Sequence, residues 1–360
     1  MTEEQFMRRA IELAKRAAGK TNPNPMVGAV IVKNGKIIGE GFHQQIGGLH
    51  AERNALAACT ESPEGGTIYV TLEPCCHYGK TPPCTEAIIA HRLARVVIGS
   101  RDPNPKVAGK GAALLRQAGI AVTEDFLRGE CDAVNPVFLH YIRNKEPYIA
   151  LKYAMTADGK TAANSGASQW ITGETARTHV HRLRNYYTGI LAGIGTVLQD
   201  DPMLTCRIPG GRNPVRIVCD SHLRIPLDCK LCNTTDQAPV IVACLDDPEH
   251  KQAALEAKGV QVLFTAKREG RIDISDLLMK LGALDIDGIL VEGGGTINAS
   301  FVAAGQVHHI YAYVGAQIFG GVNSYTPVSG PGIEVVADSL KLSRPQVQIL
   351  GEDILIEYDC

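Results

Sequence analysis

The sequence predicts two α/β domains in series, and three observations carry that assignment. At 360 residues the chain exceeds the size at which a single hydrophobic core usually stops growing. Helix-period and strand-period patterns alternate along both halves, the signature of layered α/β architecture. Between the halves, Asn144-Lys145-Glu146-Pro147 is polar and ends in proline, after which the alternation restarts. The predicted domains are residues 1–146 and 147–360.

The elements follow in order. MTEEQFMRRAIELAKRAAGK reads as an amphipathic helix with Phe6, Ala10, Leu13, Ala14 and Ala17 towards one face. GAVIVKNGKIIGEGF reads as two strands joined at Asn34-Gly35, a strong hairpin signal. A helix from His50, a strand at TIYVTLE, a helix after Pro83 and a strand at ARVVIGS come next. A helix near 110–118, a short strand at IAVTE and a single helix near 128–143 complete a layered domain with a mixed sheet. In the second half PYIALKYAM, GILAGIG, VRIVCDS, PVIVAC, GILVEGG, HHIYAYVG and DILIEY read as strands. There is no internal repeat and no low-complexity tract.

Bulk composition narrows the function. With 45% hydrophobic and 21% charged residues and a net charge of −2, the chain lacks the basic excess of a nucleic-acid scaffold. The N-terminus has neither the apolar stretch nor the small-residue cleavage site of a signal peptide. No apolar run approaches the roughly 20 residues that span a bilayer. A cytoplasmic protein is expected, and in that reducing compartment most of the 11 cysteines should be free.

Two stretches carry the first chemistry, HAERNALAAC (residues 50 to 59) and TLEPCCHYGKTPPC (residues 71 to 84). A zinc site that performs hydrolysis needs three protein ligands and one position open to water. His50, Cys75 and Cys84 would supply the ligands. Glu52, two residues beyond His50, can stand beside the metal without ligating it and carry protons from water to a leaving group. His50 opens one helix, and Cys75 and Cys84 flank the start of the next, where positive helix ends favour thiolates. His-x-Glu with Pro-Cys-x-x-Cys marks the zinc nucleobase deaminases. Pro74-Cys75 fits that pattern, but the second cysteine follows after nine residues instead of three. Cys76 and His77 compete for ligand roles; Cys75 is favoured because it follows the signature proline. The competing reading makes these residues unconnected parts of a core. Lys80, in the insert between the cysteines, is either an exposed loop lysine or a cation for a phosphorylated substrate.

In the second half VEGGGTINASF reads as a strand, three glycines and a helix, where bare backbone can approach a phosphate. Neither it nor Gly193-Ile194-Gly195 matches the Gly-x-Gly-x-x-Gly dinucleotide fingerprint, so a standard Rossmann domain is not expected.

NPNPMVGAV, HAERNA, TLEPCCHYGKTPPC and RDPNPKVAGKG together resemble the deaminase half of the bacterial bifunctional riboflavin-biosynthesis enzymes, which have the long cysteine spacing. LKYAMTADGKTAA, SQWITGETAR, RNYYTGILAGIGTVLQDDPMLTCR, PVRIVCD and VEGGGTINASF resemble, in order, the reductase half. One departure is Thr156-Ala157, where Ser-Leu is expected before Asp158-Gly159-Lys160. The resemblance covers nearly the whole chain. It implies a cytidine-deaminase-like α/β/α layered domain followed by a dihydrofolate-reductase-like α/β domain.

The resemblance also implies the chemistry. A zinc-dependent deamination would remove the C2 amine of 2,5-diamino-6-ribosylamino-4(3H)-pyrimidinone 5′-phosphate. NADPH would then reduce the ribosyl group to ribityl, giving 5-amino-6-(5-phospho-D-ribitylamino)uracil. Asn24 would contact the pyrimidine, and Lys80, Asp102 and Asn104 would lie near the ribose phosphate. Ala154, Trp170, Thr196, Asp200, Ser221 and the loop Gly294, Gly295, Thr296, Ile297, Asn298, Ala299 and Ser300 would hold NADPH. Ser168, Arg184, Leu204, Arg207 and Glu292 would hold the second substrate. An arginine fork suits a phosphate, which makes Arg184 and Arg207 reasonable on chemistry too.

Three rivals remain. A deaminase of tRNA or DNA should show a basic face and stacking aromatics, which the first domain lacks. A zinc-stabilised binding protein would need a fourth ligand and leave Glu52 idle. A reductase half that only binds nucleotide is opposed by intact loops at 154–170, 193–207 and 291–301. Cys229 and Cys232 have redox spacing but no second pair nearby, so they read as incidental. His308 and His309 on a strand point to opposite faces, and His179 and His181 on a helix do not face each other. The strand-rich C-terminus offers an edge that could pair, so a homodimer is expected, with small phosphorylated pyrimidines as ligands and neither nucleic acid nor membrane as partner.

Overall fold

The computed structural model describes residues 1–79, 82–104, 107–321 and 325–360. It divides into two compact units, Met1–Lys145 and Glu146–Cys360.

The first unit opens with α1 (Glu3–Lys15), capped by a reciprocal Thr2–Gln5 box. Its apolar stripe of Phe6, Met7, Ala10, Ile11, Leu13 and Ala14 is buried. A hairpin follows, β1 (Gly28–Lys33) and β2 (Lys36–Phe42), turning at Asn34-Gly35, both with positive φ. Next come α2 (Ala51–Ala57), β3 (Thr67–Leu72), α3 (Cys84–Ala90), β4 (Arg95–Ser100), α4 (Lys110–Gln117) and β5 (Ala121–Thr123). The sheet order is β2-β1-β3-β4-β5, antiparallel around β1 and parallel from β3 to β5. Close helix approach requires glycine on both faces. A Cβ on Gly28 would sit 2.0 Å from the Ala10 carbonyl of α1, and one on Gly41 would sit 2.3 Å from the Ala55 nitrogen of α2. Gly41 pairs with Ala29, the neighbour of Gly28, so the pleat turns these positions to opposite faces. Helices α1 and α2 therefore sandwich the sheet.

The expected single helix near 128–143 is two, α5 (Arg128–Asp132) and α6 (Pro136–Asn144). Pro136 has no N–H for a continuing helix and opens α6 instead. The buried Asn135 in the break exchanges two hydrogen bonds with the Met26 backbone, each 2.8 Å.

The second unit contains β6 (Tyr148–Thr156), α7 (Glu174–Tyr186), β7 (Gly189–Gly193), α8 (Ile194–Asp200), β8 (Val215–Cys219), β9 (Val240–Cys244), α9 (Gln252–Ala257) and β10 (Val260–Phe264). A small hairpin, β11 (Lys267–Arg268) and β12 (Arg271–Ile272), leads to α10 (Ile274–Ala283), β13 (Gly288–Val291), α11 (Gly295–Ala303), β14 (His309–Gly315), β15 (Ser343–Leu350) and β16 (Asp353–Asp359). The sheet order is β10-β9-β8-β7-β13-β6-β14-β16-β15. It is parallel as far as β14 and antiparallel thereafter. Two expectations are corrected. The strand at GILAGIG stops at Gly193, because Ile194-Gly195 already belongs to α8. His308 precedes β14, so only His309 is on the strand. The exposed β15 was not expected at all. Ile190, Leu191, Ile289 and Leu290 at the sheet centre are wholly buried, as parallel strands covered on both faces should be.

Candidate functional site

Local chemistry assembles the first site. His50 is the extended N-cap residue of α2, and Cys84 is the first residue of α3. Arg53 joins the two helices by donating to the carbonyls of Pro82 and Pro83, at 3.2 and 2.8 Å. The Cys75 carbonyl accepts from the Thr85 backbone, and the Cys84 N–H donates to Cys75 Sγ at 3.3 Å. These ties bring His50 Nδ1, Cys75 Sγ and Cys84 Sγ within 4.8 Å of one another. Both sulfurs lie 3.5 Å from His50 Nδ1. A tetrahedral zinc with bonds of about 2.0 Å to nitrogen and 2.3 Å to sulfur would separate those atoms by about 3.5 Å. The donor set and its spacing fit that ion. Cys76 and His77 do not join the group.

Electrostatics agree with the fit. Hydrogen bonds from Cys84 and His50 pull the Cys75 thiol well below its ordinary value, towards the thiolate that a zinc ligand must be. Glu52 is buried, and desolvation, with the Cys75 thiolate beside it, raises its carboxyl above the ordinary value. A buried carboxyl beside the metal-binding group is placed to take and give a proton.

Around this centre, Asp102 accepts the Asn104 N–H at 2.8 Å, and burial lifts its carboxyl to about 6. Asn24 lies exposed in the turn before β1. Lys80 falls outside the described residues. Two neighbours escaped the sequence reading. His43 stacks edge-on to His50 at 5.4 Å, and its buried Nε2 has no partner among the described residues. Glu73, immediately before Pro74-Cys75, accepts the N–H groups of Gly109 and Ala112 at 3.0 and 3.2 Å, which caps α4. The Thr-Leu-Glu-Pro-Cys string was a usable signal for Glu73, because a carboxylate ending a buried strand needs donors.

The second group of candidate residues lies where parallel strands end, as α/β sheets favour for ligand sites. Ala154 is near the end of β6, Glu292 follows β13, and Ser221 follows β8. Thr196 and Asp200 are on α8, and Gly294 caps α11 with no side-chain cap. Gly293 must be glycine here, since a Cβ would stand 1.8 Å from Ile297 Cγ2. On α11 the N–H groups of Ile297 and Asn298 bond to the Gly294 carbonyl, while those of Gly295 and Thr296 are unpartnered among the described residues. Such a bare helix start fits an anionic nucleotide. Asn298 faces the other way, its amide donating to the Pro327 carbonyl at 2.8 Å. Ala299 and Ser300 continue α11, with the Ser300 hydroxyl donating to the Thr296 carbonyl. Trp170 is 60% exposed, with the Arg177 guanidinium 4.7 Å from its ring centre. Ser168 lies in the loop just before Trp170.

Arg184 and Glu292 meet directly. Arg184 Nε and Nη2 donate to the two Glu292 oxygens at 2.7 and 3.0 Å, and Nη1 donates to the Thr205 carbonyl at 3.0 Å. Lys152 approaches Glu292 from β6 at 3.5 Å. Sequence reasoning missed Lys152, although a lysine inside the apolar strand YIALKYAM was a legible signal. The loop after α8 carries Asp201 and Leu204 with φ of 39° and 50°, left-handed values rare outside glycine. Leu204 is buried in the core and Arg207 is exposed.

The first site groups three side chains that could hold a metal ion beside a buried carboxyl, as a zinc-dependent deaminase requires, and the second places a glycine-rich helix start of the kind a nucleotide-dependent reductase requires. Residues 1–100 match the cytidine and deoxycytidylate deaminase zinc-binding region, and residues 147–356 match the RibD C-terminal domain. The chain belongs to the RibD family of bifunctional riboflavin-biosynthesis enzymes. It is 51% identical to riboflavin biosynthesis protein RibD of Actinobacillus pleuropneumoniae over 99% of this chain and 95% of that one. It is 38% identical to RibD of Escherichia coli strain K12 over 99% of each chain. The structure matches the Thermotoga maritima diaminohydroxyphosphoribosylaminopyrimidine deaminase/5-amino-6-(5-phosphoribosylamino)uracil reductase with a TM-score of 0.87 at 39% identity, covering 99% and 98% of the two chains. No helix among the described residues is long and apolar enough to cross a membrane.

Proposed function

We propose that the first domain, residues 1–146, deaminates 2,5-diamino-6-ribosylamino-4(3H)-pyrimidinone 5′-phosphate. The second, residues 147–360, would then reduce the product's ribosyl side chain with NADPH. The observation that carries the first half is the spacing of His50, Cys75 and Cys84 beside the buried Glu52. Zinc, when bound there, supplies Lewis-acid activation of water at neutral pH. Glu52 takes the proton released by the attacking water and passes it to the nitrogen leaving C2, so that water and amine become carbonyl and ammonia. Burial favours the protonated form of Glu52, the form that must hand the proton on to the leaving nitrogen. Asn24 would orient the pyrimidine, and Asp102, Asn104 and Lys80 would lie along the ribose phosphate.

In the second domain NADPH, when bound, supplies hydride to C1′ of the opened ribosyl group. Ala154, Trp170, Thr196, Asp200, Ser221 and residues 294–300 would hold that cofactor, with the free N–H groups at the start of α11 on its phosphates. Ser168, Leu204 and Arg207 would hold the substrate, with Arg184 and Glu292 forming one wall of its pocket. The preference for NADPH over NADH follows the family resemblance. We read the protein as a cytoplasmic homodimer joined along the β15 edge.

The test follows NADPH oxidation when the pure protein receives the diamino-ribosylamino-pyrimidinone phosphate, for wild type and Glu52→Gln. Oxidation by wild type alone is expected, because the second reaction needs the product of the first. Oxidation by both would reverse the proposed order, and oxidation by neither would remove the reductase half of the reading.

A further inference from the structure

Arg184 and Arg207 both belong to the proposed substrate pocket, yet their guanidinium groups are engaged very differently. All three nitrogens of Arg184 are occupied, two by Glu292 and one by the Thr205 carbonyl. Arg207 is exposed, and among the described residues only its Nε is engaged, donating to Nε2 of His181 at 3.2 Å. We infer that His181 is a positioning residue that holds Arg207 by Nε and leaves both terminal nitrogens of the fork for the 5′-phosphate of the reductase substrate. The inference rests on the proposed role of Arg207 in substrate binding.

Several features make this a built arrangement. His181 and Arg184 lie one helical turn apart on α7, so one helix face presents both groups. The chain leading to Arg207 is tied along its length. Asp201 accepts from the Lys230 N–H at 2.8 Å, and the Met203 carbonyl accepts from Arg216 at 3.4 Å. The Cys206 N–H donates to Asn213 at 3.0 Å, and its thiol donates to the His181 carbonyl at 3.4 Å. The Arg207 backbone is thereby set, and what remains free is a long side chain with many rotamers. Contact at Nε, the nitrogen that joins the stem to the guanidinium carbon, fixes the plane of the fork and leaves Nη1 and Nη2 for a bidentate phosphate contact. To accept from Arg207, Nε2 must carry no proton. Burial, aided by Arg184 and Arg207, holds the His181 imidazole down to about 4, so it stays a neutral acceptor at neutral pH. His179, two residues away, faces Tyr313 instead, with Nδ1 2.6 Å from its hydroxyl.

The test is reductase kinetics on 5-amino-6-(5-phosphoribosylamino)uracil, and on the same compound without its phosphate. The variants are His181→Leu, His181→Gln, Arg207→Ala and His181→Leu combined with Arg207→Ala. NADPH binding serves as the check that each variant is folded. For the phosphorylated substrate, His181→Leu should raise KM about tenfold, the scale of one charge-assisted hydrogen bond, with kcat little changed. His181→Gln, whose amide oxygen can accept from Nε, should restore most of the loss. The unphosphorylated compound should show no KM change, and the double variant should be no worse than Arg207→Ala alone. Equal KM rises for both compounds, additive effects in the double variant or failure of the glutamine rescue would overturn the role of His181. An unchanged KM in Arg207→Ala would instead sink the reading of Arg207 itself, whatever His181 does.

Discussion

Glu292, at the end of β13, lies between two cations: Arg184 from α7 at 2.7 Å and Lys152 from β6 at 3.5 Å. Its side chain is only 6% exposed. The cluster of one carboxylate and two cations carries a net positive charge in a buried place, which suits a wall facing an anionic substrate. Replacing Arg184 by alanine leaves Glu292 with Lys152 alone. Losing one partner of a buried pair costs about 3–5 kcal/mol. Urea unfolding of Arg184→Ala should show a lower midpoint with an unchanged slope, and an unchanged midpoint would contradict the pairing.

The same cluster has a pH signature. Burial would raise the Glu292 carboxyl, but Arg184 and Lys152 outweigh it and hold the pKa at about 2, below the ordinary 4.5. A depressed carboxyl contributes its full stabilisation above 4.5 and loses it as pH falls towards 2. The urea midpoints of wild type and Glu292→Gln should therefore differ at pH 7 and converge as the solution is acidified through that window. A difference that persists at the acid end would show that the charge is not the stabilising element.

Glu52→Gln should retain zinc, since Glu52 is not among the three grouped ligands. Deamination should fall by about 10²- to 10⁴-fold, the usual loss of a general acid/base. Full activity would remove Glu52 from the mechanism. Chelation of the metal should abolish deamination while leaving NADPH-dependent reduction of the already deaminated compound, because the residues proposed for the second site all lie in the other unit.

Glu73 joins the turn that carries Cys75 to the start of α4, and the loop of Asp102 and Asn104 leads into that helix. Glu73→Ala leaves the buried Ala112 N–H without an acceptor, at about 1–3 kcal/mol, and removes the acceptor of the more exposed Gly109 N–H as well. Its thermal midpoint should drop, with Glu73→Gln intermediate because the amide offers one acceptor oxygen. Equal midpoints for wild type and Glu73→Ala would show that water replaces the carboxylate there.

The β15 edge gives the test of assembly. Val347 and Ile349 are 66% and 65% exposed and pair with Ile356 and Ile354 across β16, forming an apolar strip on an open sheet edge. Sedimentation should give a dimer for wild type and a monomer for Val347→Lys with Ile349→Lys. A wild-type monomer would refute the dimer, and a dimeric double variant would move the interface elsewhere.

The sequence by itself determined whatever depends on a few neighbouring residues. Asn34-Gly35 dictates a hairpin because its turn needs positive φ, and both residues have it. The order His50, Glu52, Pro74, Cys75 and Cys84 carries the logic of a metal centre, because ligand type and helix-start positions are local properties. The break before Pro136 was legible in principle, but the helical period on either side masked it. Tertiary structure decided which distant groups meet. Arg184 and Glu292 stand 108 positions apart, and their contact exists only because the sheet order brings α7 beside the end of β13. Sequence chemistry offered both arginines as phosphate forks. Folding occupies the fork of Arg184 and leaves that of Arg207 open on a histidine anchor, because hydrogen-bond partners are assigned by proximity in space.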